Sequence, residues 1–321
     1  MKEKNILVIG AGSIGERHIR NLWQQGFHNI IVYRQRNIPF RDIANAKVTV
    51  ITEWSTLLQL NIFAAIICTP TSQHLSQTYS CIENGWHVLV EKPLSHQLFN
   101  IEPFISLIKE KNTLLQIGYM LHYHPLLQQA KKIIENGTYG KLINIQTYWG
   151  EYLPDWHPWE DYRESYAAKT ELGGGPALTL SHDIDIANWL CNANIKLVQP
   201  LKNYASLLKV ETESLFDVNI AYENNVTAHI HVNFCQRKAQ RWYKIITSDA
   251  VIDIDYYANT LIINDGANTK KEIVVEGFDR NNLFIAQQND FFDRISLNNH
   301  FSFSKQQLVN AYSITKICTH E

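Results

Sequence analysis

The chain has 321 residues, 45% apolar, 19% charged and 11% aromatic, with 29 basic and 31 acidic side chains and a formal net charge of −2. That length exceeds what one hydrophobic core usually serves and predicts two domains, and the low charge and aromatic content exclude a disordered chain. Near-neutral balance argues against a nucleic-acid or membrane-surface binder, which needs clustered positive charge, so a small molecule is the expected partner.

In chain order, the apolar run Asn5–Ile9 comes first. No charged-then-apolar leader precedes it, so no signal peptide is expected, and no run approaches the roughly 20 apolar residues of a membrane span. Ile6–Ile9, Ile30–Tyr33, Phe63–Cys68, His87–Val90 and Leu114–Ile117 read as buried strands. Ile14–Gln25, Thr56–Leu60, Gln73–Asn84 and Leu98–Lys111 read as the helices between them. Continuous apolar strands alternating with helices predict a parallel sheet covered on both faces. After a helix over about 125–136, polar and apolar residues alternate in Lys141–Trp149, Ser214–Tyr222, Val226–Phe234, Tyr243–Ile246, Val251–Tyr256 and Thr260–Ile263. Turn pairs such as Asn224-Asn225 and Asp265-Gly266 separate them, which predicts an antiparallel sheet with one exposed face. Helices over about 283–295 and 304–317 close the chain. The expected boundary lies near Met120, giving domains 1–120 and 121–321, with the C-terminal helices able to return to the first domain. Five cysteines, none at a two-residue spacing, indicate neither a zinc knuckle nor a redox dithiol. No metal is expected, and a reducing, cytoplasmic location is.

The segment Gly10-Ala11-Gly12-Ser13-Ile14-Gly15 fits a dinucleotide fingerprint because an apolar strand enters it and an amphipathic helix leaves it. Gly10 permits the tight turn, Gly12 lets the backbone approach a pyrophosphate, and Gly15 allows close packing of helix on strand; Ser13 and Ile14 open a helix whose N-terminus faces the phosphates. The second strand ends Val32-Tyr33-Arg34-Gln35-Arg36, without the acid that usually accepts from the ribose 2′-hydroxyl. Arg34 and Arg36 match a 2′-phosphate, which favours NADP(H), with NAD(H) the alternative if the two are solvated surface charges.

Further along stand Cys68-Thr69-Pro70-Thr71-Ser72-Gln73-His74, Val90-Glu91-Lys92-Pro93 and Gly118-Tyr119-Met120, then Gly173-Gly174-Gly175 followed by His182-Asp183-Ile184-Asp185. With the glycine turn, these motifs resemble the Gfo/Idh/MocA family, named for glucose–fructose oxidoreductase and inositol dehydrogenase, over essentially the whole chain. The resemblance implies an N-terminal Rossmann doubly wound parallel sheet and a C-terminal α+β domain with a large, mostly antiparallel open sheet. It also implies an NAD(P)-dependent oxidoreductase acting between a secondary alcohol and a ketone of a sugar, sugar derivative or cyclitol, assembled as a homodimer or homotetramer.

Thr69-Pro70, Glu91-Lys92-Pro93 and Gly118-Tyr119 each follow a strand and are expected to border the nicotinamide pocket, with His74 a further expected cofactor contact. Lys92 is expected to hydrogen-bond the substrate oxygen and stabilise alkoxide character. The family pattern makes His182 the general acid/base, suited by an ordinary pKa of about 6.5. Asp185, three residues on, either lines the pocket or stabilises the helix. Many members carry an aspartate on the turn before this histidine, where Thr179 stands here, and His122 occupies a place where relatives often have arginine. Threonine hydrogen-bonds a hydroxyl but is no carboxylate base. Seven aromatics, Tyr148, Trp149, Tyr152, Trp156, Trp159, Tyr162 and Tyr166, fall within 19 residues. They suit a sugar-stacking wall, or else fill an interface, while Arg163 and Lys169 suit a carboxylate or phosphate. The expected substrate contacts are therefore Tyr119, His122, Trp156, His157, Arg163, Tyr166, Thr179 and Asp185. A branch of the family linked to bacterial surface-sugar biosynthesis looks similar over this stretch. The alternatives are a non-catalytic dinucleotide-binding regulator of the same fold, or a dihydrodiol or imine reductase.

Overall fold

The computed structural model describes residues 1–35, 39–41, 43, 48–156, 158–204, 208–266, 270–297 and 300–319. In chain order these form β1 (Asn5–Ile9), α1 (Ser13–Gln24), β2 (Ile30–Tyr33), β3 (Thr49–Ile51), α2 (Trp54–Leu57), β4 (Ile62–Ile67), α3 (Thr71–Glu83), β5 (His87–Val90), α4 (Glu102–Lys111) and β6 (Leu115–Ile117). Then come α5 (Pro125–Glu135), β7 (Leu142–Tyr152), α6 (Pro176–Thr179), α7 (His182–Cys191), β8 (Ile195–Asn203), β9 (Leu215–Tyr222) and β10 (Thr227–Asn233). The last elements are β11 (Cys235–Thr247), β12 (Val251–Asp255), β13 (Thr260–Asn264), β14 (Lys270–Val274), α8 (Asn281–Ser296) and α9 (Phe301–Thr319). They divide into two units: Met1–Gly118 with Asn281–Thr315, and Tyr119–Arg280 with the residues from Lys316 on.

The first unit is built on a six-stranded parallel sheet in the order β3-β2-β1-β4-β5-β6. Its central strands are apolar along their whole length because helices cover both faces; Ile6, Leu7, Val8 and Ile9 are all fully buried. The unit is discontinuous in sequence. Phe291, Phe292 and Ile295 of α8 join Ile6, Val8, Ile19, Leu22 and Val32 in its core, and Phe292 stacks on Phe27 at 4.4 Å. Burying each such aromatic stabilises the fold by about 1.5–3 kcal/mol. Polar contacts fix the register of these helices: Asn21 and Asn281 exchange amide bonds, and the Leu115 and Ile117 amides donate to Ser304 and Gln307 of α9.

The second unit holds an eight-stranded sheet, β14-β13-β12-β11-β7-β10-β9-β8, antiparallel except where β7 and β10 run parallel. Strict alternation sends Phe216, Val218, Ile220, Ala228, Ile230, Val232, Ile245, Ile252 and Ile254 to one buried face, on which α7 packs. The other face carries a row read straight across the strands, Asp217, His231, Tyr148, Trp242 and Asp255. Tyr148 stacks on His231 at 4.7 Å and on Trp242 at 5.5 Å.

The strands Thr49–Ile51, Ile195–Asn203 and Lys270–Val274 lie outside the sequence expectation, and β11 is longer than expected. All three strands are sheet edges. Among the described residues no helix is long and apolar enough to cross a membrane.

Candidate functional site

In the first unit, the motif turns sit together at the carboxyl edge of the parallel sheet because each directly follows a strand: Gly10–Gly15 after β1, Thr69-Pro70 after β4, Glu91-Lys92-Pro93 after β5 and Gly118 after β6. Gly10 has a φ of +89°, and a Cβ on it would lie 2.9 Å from the Cys68 carbonyl oxygen. A Cβ on Gly15 would lie 2.1 Å from the Gly10 carbonyl oxygen, so only glycine lets α1 approach the turn. Gly12 differs: no described atom lies within 4 Å of where its Cβ would stand. It is also the N-cap of α1 and supplies no side-chain cap. A helix N-terminus with uncapped amides opening on free space is what a pyrophosphate needs, so these residues fit a bound dinucleotide.

Glu91 is held from behind. His18 Nδ1 accepts from Gln288 Nε2 at 2.8 Å, which places the ring proton on Nε2, and that nitrogen donates to Glu91 Oε1 at 2.8 Å. Gln25 in turn donates to Gln288 Oε1 at 2.6 Å. Burial raises the Glu91 pKa, but the His18 hydrogen bond and the Lys92 charge outweigh it and hold the carboxyl below its ordinary value. The Glu-Lys-Pro turn, whose Lys92–Pro93 peptide is cis, is thus tied to α1 and α8.

Two of the expected cofactor contacts, His74 and Arg34, have partners within this chain. His74 is 2% exposed and both ring nitrogens are taken by backbone oxygens, Pro93 at 2.8 Å and Thr69 at 2.7 Å. It ties the Thr-Pro turn to the Glu-Lys-Pro turn. Burial, against the raising effect of those carbonyls, keeps its pKa low. At the end of β2, Arg34 lays its guanidinium over Phe40 at 4.1 Å. Arg36 lies outside the described residues.

In the second unit, His182 is the first residue of α7 and 3% exposed, with the Tyr119 ring edge-on at 5.6 Å and Trp149 at 6.1 Å. Thr179 ends the short helix α6 and is 4% exposed. His122 Nε2 meets Asp185 Oδ2 at 2.7 Å and stacks on Trp189 at 4.6 Å, so α7 also fixes the 3-10 turn Met120–Tyr123. Two of the three glycines serve packing: a Cβ on Gly174 would lie 2.5 Å from the Ala167 and Tyr166 oxygens, and one on Gly175 2.6 Å from Glu213, whose carboxylate accepts from Ala177 at the start of α6.

The aromatic segment after β7 is a chain of 3-10 turns, at Leu153–Asp155, Tyr162–Glu164, Tyr166–Ala168 and Thr170–Leu172. Trp156 packs edge-on against Phe234 at 5.4 Å, and Tyr166 is 37% exposed. Arg163, expected at the substrate, has a partner within its own turn. Its guanidinium forks onto Asp161 at 2.6–3.0 Å, while the same carboxylate caps the turn through the Arg163 amide. Lys169 likewise pairs with Glu211 at 3.1 Å and Glu164 at 3.7 Å. Both cations meet carboxylates of this chain. His157 lies outside the described residues.

Sequence reasoning missed one group beside His182. Arg241 is 3% exposed, ion-paired with the fully buried Asp183 and stacked over Trp149 at 3.8 Å. Burial, partly offset by this cation, pushes Asp183 up to about 6. The signal was present: Arg241 falls in phase with the inward residues Tyr243 and Ile245 of its strand. Among the described residues no three potential metal ligands cluster.

Residues 4–119 match the model of the GFO_IDH_MocA oxidoreductase family with an NAD-binding Rossmann fold, and residues 127–253 match the GFO/IDH/MocA C-terminal domain. The chain belongs to the Gfo/Idh/MocA family. Within the family it is 31% identical over 200 residues to scyllo-inositol 2-dehydrogenase (NAD(+)) of Bacillus subtilis, covering 60% of this chain and 55% of that protein. It is 27% identical over 211 residues to levoglucosan dehydrogenase of Pseudarthrobacter phenanthrenivorans, covering 59% and 52%. The chain thus matches little more than half the length of these two relatives. A solved levoglucosan dehydrogenase in complex with NADH and levoglucosan shares the fold at a TM-score of 0.84 and 16% identity, over 99% of this chain and 95% of that one.

Proposed function

We propose that this Gfo/Idh/MocA member is an NAD(P)-dependent oxidoreductase of a secondary alcohol on a sugar, sugar derivative or cyclitol. The observation that carries this is the convergence of an open phosphate cradle at Gly12 and the Glu91-Lys92-Pro93 turn on one edge of one sheet. Ligands of open parallel sheets bind beyond the carboxyl ends of the strands. Family relatives named for inositol and levoglucosan supply the substrate class.

The bound nicotinamide supplies the two-electron acceptor or donor. Lys92 donates a hydrogen bond to the reacting oxygen and stabilises the charge that develops there. His182 takes the hydroxyl proton during oxidation and returns it during reduction, between aromatic neighbours that exclude water. Tyr119, His122, Thr179, Asp185, Trp156 and Tyr166 make up the substrate side. Lys92→Ala and His182→Ala should each lower turnover by orders of magnitude and leave dinucleotide affinity intact; near-normal turnover in either rejects the assignment. A panel of sugars, uronic acids, cyclitols and nucleotide sugars, followed by nicotinamide absorbance, identifies the substrate. Thr179 in place of a carboxylate favours the second reading, a dinucleotide-binding regulator, and dinucleotide binding without turnover on the whole panel would select it.

For the cofactor, the absence of an acid at the end of β2 and the presence of Arg34 favour NADP(H). Tighter binding of NADH than NADPH, unchanged in Arg34→Ala, would reverse that preference in favour of NAD(H). We further place the protein in the cytoplasm, as a homodimer or homotetramer joined through the outer face that carries Tyr148, His231 and Trp242. Light scattering of Trp242→Glu tests the interface, since a buried charge there should yield monomers.

A further inference from the structure

A cavity of about 370 Å³ opens at the opposite end of the parallel sheet, the amino edge, and nothing in the proposed reaction uses it. Lys4 immediately precedes β1, Phe63 lies near the start of β4, and His87 is the first residue of β5, so all three strands contribute from their beginnings. The motif turns follow the far ends of the same strands, about 16 Å away for a five-residue strand. Met1, Asn112, Ile295 and His300 complete the wall.

The wall is rich in donors. The Leu114 amide donates to His87 Nδ1 at 3.0 Å, which leaves the His87 proton on Nε2. His300 stands edge-on to His87 at 5.7 Å and is 4% exposed, and its Nδ1 has no hydrogen-bond partner among the described residues. Lys4 adds a full positive charge, its ammonium 5.9 Å from the Phe63 ring, and no carboxylate lines the cavity among the described residues. Phe63 and Ile295 make the remaining wall apolar.

We propose that this cavity is a second ligand site, for a small organic carboxylate whose anionic head meets Lys4 and the two histidines and whose apolar remainder packs on Phe63 and Ile295. The volume lies within the range of small-molecule pockets, and a charge-assisted bond to the head is the stronger kind. The site is independent of the substrate, because its residues lie at the other end of the strands from the proposed chemistry.

Benzoate is the probe, and benzamide is its uncharged counterpart. Isothermal titration of the full chain at constant ionic strength and pH 7 should show saturable one-site binding of benzoate, with benzamide at least tenfold weaker. Lys4→Gln, an exposed change that leaves the core alone, should weaken benzoate at least fivefold, as should His300→Leu. Dinucleotide affinity should stay unchanged in both. Equal binding of benzoate and benzamide, no saturation by about 50 mM, or full benzoate affinity in Lys4→Gln would each overturn the proposal.

Discussion

Replacing Arg241 by methionine probes whether the group behind His182 is held by charge. Asp183 is fully buried and already pushed up to about 6 by burial, even with the guanidinium beside it. Removing the cation strands a buried carboxylate, which costs about 3–5 kcal/mol at pH 8. The pH dependence follows from the direction of the shift. A folded-state pKa above the unfolded value of 3.8 means that stability falls as pH rises from about 4 through 6. Without Arg241 the folded pKa climbs further, so the variant takes up its proton at higher pH and its deficit against wild type shrinks from pH 8 to pH 5. Asp183→Asn in the Arg241→Met background removes both charges and should recover much of the loss. Urea unfolding of the four proteins at the two pH values, followed by far-UV circular dichroism, measures the cycle. A deficit below about 1 kcal/mol, one of equal size at both pH values, or strict additivity of the two changes would refute the argument.

Two further perturbations separate binding from folding. Gly12→Ala should leave the melting temperature unchanged, because open space surrounds the new methyl, and should weaken dinucleotide binding at least tenfold; Gly15→Ala should destabilise the free protein by about 1–3 kcal/mol, because its Cβ meets a backbone oxygen. Thermal melts and dinucleotide titration of the pair check this contrast. His124, buried against Tyr256 and Phe278, has its pKa lowered to about 4, by burial first and by the Arg241 charge second. The unfolded imidazole takes its proton near 6.5, so the stability this group contributes is full above that pH and is lost as pH falls toward 4, by about 3 kcal/mol. His124→Asn keeps an acceptor for the Leu126 amide, which His124 Nδ1 meets at 3.3 Å, and should flatten the acid limb of urea stability against pH; an unchanged limb assigns the loss to other groups.

The parallel sheet was legible because every strand in its centre is apolar throughout, a pattern only full burial explains. The three strands that escaped notice are edges, where little apolar signal is required: β3 has three residues, β8 carries Pro200, and β14 reads Lys-Lys-Glu-Ile-Val. Proline and charge at an edge guard against pairing with another chain, and the same features hide the strand from a pattern search. In the site, Gly10, Gly12 and Gly15 could be read because each glycine answers a local steric demand. For His74 and Arg163 the local sequence does not show the partner. Their partners, the carbonyls of Thr69 and Pro93 and the carboxylate of Asp161, decide whether a polar side chain faces a ligand or the chain itself. Arg241 stands 58 residues from Asp183, a separation at which no local spacing rule operates.

The discontinuity of the first unit sets an order of assembly on the ribosome. Phe291, Phe292 and the Gln288 grip on His18 are synthesised after every strand of the eight-stranded sheet. The dinucleotide domain therefore begins first and is completed only near the end, while residues 119–280, the second unit apart from the stretch from Lys316 on, are able to fold in the interval. Released chains truncated after residue 280 should show protease resistance over residues 119–280 and sensitivity around β1 and α1. Release of the last forty residues should then close both ends of the chain together.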